Sequence, residues 1–227
     1  MNAPISIISR SRRPAFVRIA GGVVALGGGV VLAGWLLGIE ALTYLIPGAV
    51  TMMANTALAF ILSGGALFLL QMSGPWARRA AVTCAALAGA LALGTLVEYA
   101  TGGDFGIDEL LVRDGGLKVA TPYPGRMGVN TAVSFVLTTM ALGLMSRSTG
   151  NGRRLLALGW LGGLVLGLGL FALLGYAAEF SLGHGWWSLA GMAVHTAALF
   201  VLLGTAVLHW TWREAGRRWL IDRKSVV

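Results

Sequence analysis

The stretch MGVNTAVSF at residues 127–135 is the most informative part of the sequence, because closely similar stretches occur twice more along the chain. One of them, MMANTALAF, covers residues 52–60, and the other, MAVHTAALF, covers residues 192–200. All three share the pattern M-x-x-[N/H]-T-A-x-x-F, and each opens an apolar run. Self-similarity at a spacing of about one helical hairpin indicates a repeat architecture. We therefore predict three repeated α-hairpins, each with the motif at the start of its second helix.

The composition predicts an integral membrane protein. Of 227 residues, 56% are hydrophobic and only 11% are charged, and the mean hydropathy is +0.78. Soluble domains carry about 25% charged residues. The 34 glycines suit closely packed membrane helices, since small residues let backbones approach each other. A single cysteine excludes a disulfide framework and any cysteine-based zinc or iron–sulfur site. Soluble enzymes and secreted scaffolds are thereby excluded as classes.

Uncharged runs long enough to cross about 30 Å of hydrocarbon predict six transmembrane helices. The expected spans are residues 19–39, 52–72, 80–97, 127–146, 155–178 and 192–212. The repeats then cover about 19–72, 80–146 and 155–212, with an outer loop over 98–126. The predicted fold class is an all-α integral membrane protein whose three hairpins form a pseudo-threefold bundle about the membrane normal.

The distribution of basic residues predicts the orientation. Fourteen of the 17 Lys and Arg residues fall in the segment 1–18, in two interhelical links and in the tail 213–227. The positive-inside rule therefore places both termini in the cytoplasm, and the expected location is a bacterial inner membrane. These charges form short clusters between spans, which is not the pattern of a nucleic-acid-binding face. We interpret the first apolar run as an uncleaved signal anchor, because it is longer than a signal-peptide core.

Small residues recur at fourfold spacing in the first, third and fifth predicted helices, and such ridges allow close helix contact in lipid. The residues expected to form these ridges are Ala25, Gly29 and Ala33, then Ala86, Ala90 and Gly94, then Gly159, Gly163 and Gly167.

The polar residues of the repeated motif are the main candidates for a ligand site. We expect them to lie about one turn into their helices on the outer side, where equivalent side chains ring the pseudo-threefold axis and face a common pocket. An alternative is purely structural, because Asn–Thr pairs near a helix start can satisfy backbone N–H groups or bond to a neighbouring helix. Residues at the outer ends of the preceding helices could line the same chamber. The candidates are Asn55, Thr56, Asn130, Thr131, His195, Thr196, Glu98, Tyr99 and Tyr176.

His195 breaks the symmetry of the motif, since a histidine can ligate a metal or titrate near neutral pH and an asparagine cannot. His209 lies 14 residues further along the same helix, about 21 Å away, and cannot share a mononuclear site with it. Four acids at 104–114 could hold a divalent cation, but their spacing matches no calcium loop. A short amphipathic interfacial helix is therefore expected there. We predict no metal site and no catalytic residue, and the cofactor is unknown.

Several motifs occur in the same order as in a known membrane region. The helix openings N-T-A-x-x-F, the loop run DFGIDELL at 104–111 and the sequence PGRM at 124–127 resemble the multi-pass sensory domain that precedes PAS-containing sensor histidine kinases and diguanylate cyclases. The resemblance covers roughly residues 34–210. It implies a signal-input membrane domain. In that family the last helix leads into output domains, whereas about 14 residues follow Arg213 here.

Three functions follow as hypotheses. The first is a non-enzymatic sensory or binding module that passes an outer-side signal to another membrane or cytoplasmic protein through its basic tail. The second is an accessory subunit of a larger membrane complex, photosynthetic or respiratory. The third is a small transporter, which the lack of a charged membrane pathway disfavours. The expected partners are membrane lipids and that other protein, with no nucleic acid.

Overall fold

A computed structural model of the chain describes residues 14–45, 50–108, 111–112, 125–147, 151–182 and 192–224. These residues form six α-helices and a short 3-10 turn at Glu40–Leu42, and they contain no strand. The helices are α1 Ala15–Leu37, α2 Ala54–Leu69, α3 Pro75–Thr101, α4 Val129–Ser146, α5 Gly152–Leu182 and α6 Val194–Lys224. The all-helical class predicted from the sequence is confirmed.

Five of these six helices are long and apolar enough to cross a membrane, and the exception is α2, which has 16 residues. The predicted second span of 52–72 was too long, because the chain is extended at Met53 and turns after Leu69. The third span was predicted too short. Helix α3 has 27 residues and begins at Pro75, where a proline is well accommodated because the first helical N–H has no partner within the helix.

Packing follows the chain order. The most extensive helix contacts join α1 to α2, α3 to α4, and α5 to α6. Further contacts join α2 to α3, α4 to α5, and α1 to α6, which closes a ring. Helices α2 and α6 each also contact α4, so the three motif-bearing helices lie nearer the centre of the bundle than α1, α3 and α5.

Three phenylalanines at the last position of the motif meet at the centre of the bundle. Phe60, Phe135 and Phe200 are fully buried, and their ring centroids are separated by 4.7 Å, 4.8 Å and 4.8 Å. The rings pack edge-to-face or tilted, which is the favoured geometry because it opposes positive ring edges to negative faces. Each motif helix thus supplies one equivalent side chain to a shared aromatic core.

The side of each motif helix that carries its phenylalanine is buried along its length. Positions four before, three after and seven after the phenylalanine share one face at helical periodicity. At most 3% of each of these side chains is exposed: Thr56, Ser63 and Leu67; Thr131, Thr138 and Leu142; Thr196, Leu203 and Val207.

Glycines bring the helix pairs into backbone contact, but not the glycines that the sequence spacing predicted. A Cβ on Gly64 of α2 would lie 2.5 Å from the backbone nitrogen of Ala25 in α1, and one on Gly204 of α6 would lie 2.5 Å from that of Leu166 in α5. At Gly29, Gly159, Gly163 and Gly167 a Cβ would meet nothing within 4 Å, and Ala86 and Ala90 are exposed. The predicted ridges were wrong at these six residues, because a different face of the helix is turned inward there, whereas the predicted Ala25 does lie at the α1–α2 contact.

Candidate functional site

The predicted site residues lie at one end of the bundle, where α3 ends and α2, α4 and α6 begin; we call it the motif end. Asn55, Asn130 and His195 are each the second residue of their helix. Asn55 is buried, whereas Asn130 and His195 are half-buried.

Helical geometry separates the two polar positions of the motif. The threonines lie four residues before the phenylalanine, only about 40° around the helix from it, at 100° per residue. The Asn or His position lies five residues before, about 140° around. The ring nearest the bundle axis therefore consists of Thr56, Thr131 and Thr196, and the Asn and His positions lie on another side of their helices.

Two of the Asn and His side chains carry buried polar atoms without a hydrogen-bond partner. In Asn55, Oδ1 accepts the Thr56 N–H at 2.7 Å, and Nδ2 has no acceptor. Neither Nδ1 nor Nε2 of His195 has a partner. Buried polar atoms are nearly always hydrogen-bonded in folded proteins, so each such atom is a candidate contact for a ligand or water.

Tyr99 and Tyr176 connect the helices of their hairpins. The Tyr99 hydroxyl donates to the carbonyl oxygen of Met127 at 3.3 Å, and the Tyr176 hydroxyl donates to that of Met192 at 2.8 Å. In the first hairpin the indole N–H of Trp35 donates to the Met52 carbonyl at 2.8 Å. All three acceptors are the first methionine of the motif. Trp35 lies 17 residues before its acceptor and Tyr176 lies 16 residues before its own, so the two side chains occupy parallel positions ahead of the motif.

Glu98 belongs to a buried ionic cluster rather than to a chamber around His195. No hydrogen bond or ion pair joins Glu98 to His195. Glu98 Oε1 accepts the backbone N–H of Phe105 at 2.8 Å, and Oε2 lies 3.6 Å from Arg126 Nε. Arg126 Nε also donates to Asp108 Oδ2 at 2.6 Å.

The guanidinium of Arg126 has further contacts that hold it in place. Its Nη2 donates to the carbonyl of Gly103 at 3.2 Å, and its central carbon lies 5.3 Å from the centre of the Tyr99 ring. Burial raises the pKa of Asp108, the hydrogen bond from Arg126 opposes that rise, and the charge of Glu98 adds to it. Arg126 was not predicted as a site residue, although it directly precedes the motif methionine, and Asp108 was considered only as part of the acidic run at 104–114.

The acidic loop does not form the predicted interfacial helix in the residues that are described. Helix α3 ends at Thr101, the positive φ of 68° at the following Gly102 turns the chain back, and residues 102–108 and 111–112 are irregular. Asp104 Oδ1 accepts the N–H of Gly106 at 2.8 Å and so stabilises a tight turn. Glu109 and Asp114, also part of the acidic run, lie outside the described residues.

A cavity of about 290 Å³ lies at the opposite end of the bundle. Its lining includes Gln71, Arg78, Trp210 and Glu214, and Glu214 pairs with Arg217 at 3.0 Å and with Arg218 at 3.2 Å. We call this the basic end.

No protein-family model, curated protein or solved structure matches the chain. The resemblance to sensory input domains therefore stays a prediction.

Proposed function

We propose that the chain is a non-enzymatic signal-input module of a bacterial inner membrane, built from three repeated hairpins, which binds a small polar molecule at its motif end. It acts through another protein at its basic end. The observation that carries the proposal is the concentration at the motif end of buried polar atoms that have no hydrogen-bond partner.

Equivalent contacts in the three hairpins support the repeat. Each motif methionine accepts a hydrogen bond from an aromatic residue of the preceding helix, and each motif phenylalanine enters one aromatic core. Three copies in the same direction along the membrane normal place the motif end on one side of the membrane. The excess of Arg at the other end favours the cytoplasm for the basic end, with both termini inside.

The unsatisfied atoms of Asn55 and His195 support the ligand site. An amide nitrogen donates, and a neutral imidazole both donates and accepts. A ligand that carries both an acceptor oxygen and a hydroxyl donor can therefore pair with these atoms. Leaving a buried donor or acceptor unpaired costs about 1–3 kcal/mol, so a ligand that pairs them recovers that free energy on binding.

Helix α6 provides a direct connection between the two ends. It is continuous from Val194 to Lys224, so its 31 residues extend about 46 Å at 1.5 Å per residue. His195 lies in its first turn, and the basic segment lies in its last turns. A shift of α6 on ligand binding would therefore move the surface that a cytoplasmic partner contacts.

A second candidate function is an accessory subunit of a larger membrane complex. Large aromatic side chains on the outer surface favour it: Trp76, Trp160 and Trp212 are 70%, 68% and 82% exposed. Such rings fit a neighbouring subunit as well as lipid, since interfaces are enriched in aromatic residues.

The test is native mass spectrometry of the protein purified in mild detergent, together with chromatographic analysis of small molecules released on denaturation. We expect one small molecule to co-purify at a stoichiometric ratio and to be lost from Asn55→Ala and His195→Ala. The matched control is His209→Ala, because His209 is on the same helix beside Phe16 and far from the motif end.

Two outcomes contradict the sensor proposal. If the wild type and both variants release the same small molecules, the proposal of a ligand site at Asn55 and His195 is contradicted. Co-purification of a multi-subunit assembly that is disrupted by Trp160→Ala, with no bound small molecule, establishes the subunit role instead.

A further inference from the structure

Three carboxylates from separate positions converge beside the end of α3. Glu98 lies in the last turn of α3, and Asp104 and Asp108 lie in the loop that folds back over it. One oxygen from each of the three carboxylates lies within 4.8 Å of the others. The turn at Gly102 and the Phe105 N–H bond to Glu98 hold the loop in this position.

Two of these carboxylates are buried and carry an oxygen that accepts no hydrogen bond. Glu98 is fully buried and Asp108 is 7% exposed. The oxygens without a donor are Glu98 Oε2 and Asp108 Oδ1. Burying a carboxylate is unfavourable unless its charge is paired and its oxygens are satisfied. Asp108 Oδ1 has no hydrogen-bond partner, and Glu98 Oε2 has only the Arg126 Nε at 3.6 Å, so both oxygens can accept a further positively charged partner.

Arg126 leaves a charge imbalance in the cluster. The three carboxylates carry three negative charges if ionised, and within the described part of the chain they pair with a single guanidinium, that of Arg126. Its Nε donates to Asp108 and lies 3.6 Å from Glu98, while its Nη2 donates to the Gly103 carbonyl. The two negative charges that Arg126 does not balance match the charge of one divalent cation.

The chemistry and spacing of the oxygens select the type of cation. An all-oxygen donor set favours hard ions such as Ca²⁺ and Mg²⁺ over zinc. Calcium–oxygen distances are about 2.3–2.6 Å, so two oxygens of one calcium shell can be up to about 5 Å apart, whereas magnesium at about 2.1 Å permits only about 4.2 Å. The observed limit of 4.8 Å fits a calcium shell.

We propose that Glu98, Asp104 and Asp108 form a binding site for a calcium-sized divalent cation, which fastens the acidic loop to the end of α3. Arg126 is a positioning residue that holds Asp108. This site is independent of the small-molecule site proposed for Asn55 and His195. One can therefore fail without the other.

The experiment is calorimetric titration of CaCl₂ into the detergent-purified full chain after removal of metals with EDTA, at neutral pH. We expect one bound ion per chain with a dissociation constant of about 10⁻⁴–10⁻³ M, as in extracellular calcium modules, and at least tenfold weaker binding of MgCl₂. The Asp104→Asn variant should bind calcium at least tenfold more weakly. Asp104 is exposed, so this substitution leaves the packing intact.

The matched control is Glu40→Gln, another exposed acid at the motif end, which should titrate like the wild type. The proposal is overturned if the wild type shows no heat of calcium binding at CaCl₂ concentrations up to 10-fold above the expected dissociation constants. Equal affinities of the wild type and Asp104→Asn also overturn it, because the ion would then bind elsewhere.

Discussion

Replacing Gly64 with alanine tests whether the α1–α2 contact is a backbone contact. The new Cβ would lie 2.5 Å from the backbone nitrogen of Ala25 and 2.6 Å from the carbonyl oxygen of Gly21. Ordinary contacts of a Cβ begin near 3.4 Å. The two helices must therefore separate by nearly 1 Å, and no side-chain rotation can relieve the overlap because both neighbours are backbone atoms.

The neighbouring Gly65 is a matched control. A Cβ there meets nothing within 4 Å. Both substitutions gain the same helix propensity, about 0.8–1 kcal/mol for Gly to Ala, so the difference between them isolates the overlap. Overpacking costs about 1–3 kcal/mol, which corresponds to a difference in Tm of roughly 2–12 °C for a chain of this size.

The assay is thermal unfolding in dodecyl maltoside followed by far-ultraviolet circular dichroism. We expect Gly64→Ala to melt below Gly65→Ala by that amount, and Gly65→Ala to melt at or above the wild-type temperature. If both variants melt together, the helices are not in backbone contact at Gly64, and the packing described here is refuted at that interface.

Two further predictions follow from the core and from the ionic cluster. Phe135→Ala should lower the free energy of unfolding by about 3–5 kcal/mol, because it leaves a cavity in the aromatic core. The control is Phe171→Ala, at a side chain that is 62% exposed, and it should change the melting temperature little. Equal losses of stability in the two variants would contradict the assignment of Phe135 to the core. Burial raises the pKa of Asp108 above its ordinary value of 3.8, so the folded chain binds this proton more tightly than the unfolded chain. The contribution of Asp108 to stability is therefore fully present below pH 3.8 and is lost as the pH rises through the raised value. Melting curves across that range in EDTA should show this decline in the wild type and not in Asp108→Asn, and identical pH profiles would refute it.

Part of the candidate site could be read from the chain because local spacing encodes it. The repeated motif correctly placed Asn55, Asn130 and His195 at equivalent positions in the first turns of three helices. Spacing alone did not identify the aromatic core of Phe60 and its two equivalents. That core requires three helices to turn the same face inward.

The class of the protein follows from local features of its amino-acid sequence. Apolar runs, scarce charge and a threefold motif are local properties, and they are sufficient to predict a helical membrane protein and the approximate position of each helix. The ends of the helices were predicted less exactly: α6 continues to Lys224, beyond the predicted end at residue 212 where the apolar pattern stops.

Which side of each helix faces its neighbours depends on the tertiary packing. Periodicity fixes the relative directions of side chains on one helix but not the rotation of that helix in the bundle. Predicted ridges such as Gly159 and Gly163 therefore proved to face away from the contacts, while Gly204 brought α6 against α5. The convergence of Glu98 and Asp108 on Arg126 likewise depends on a loop folding back across α3 toward the chain just before α4. Residues 18 positions apart in sequence become ion-pair partners through that fold alone.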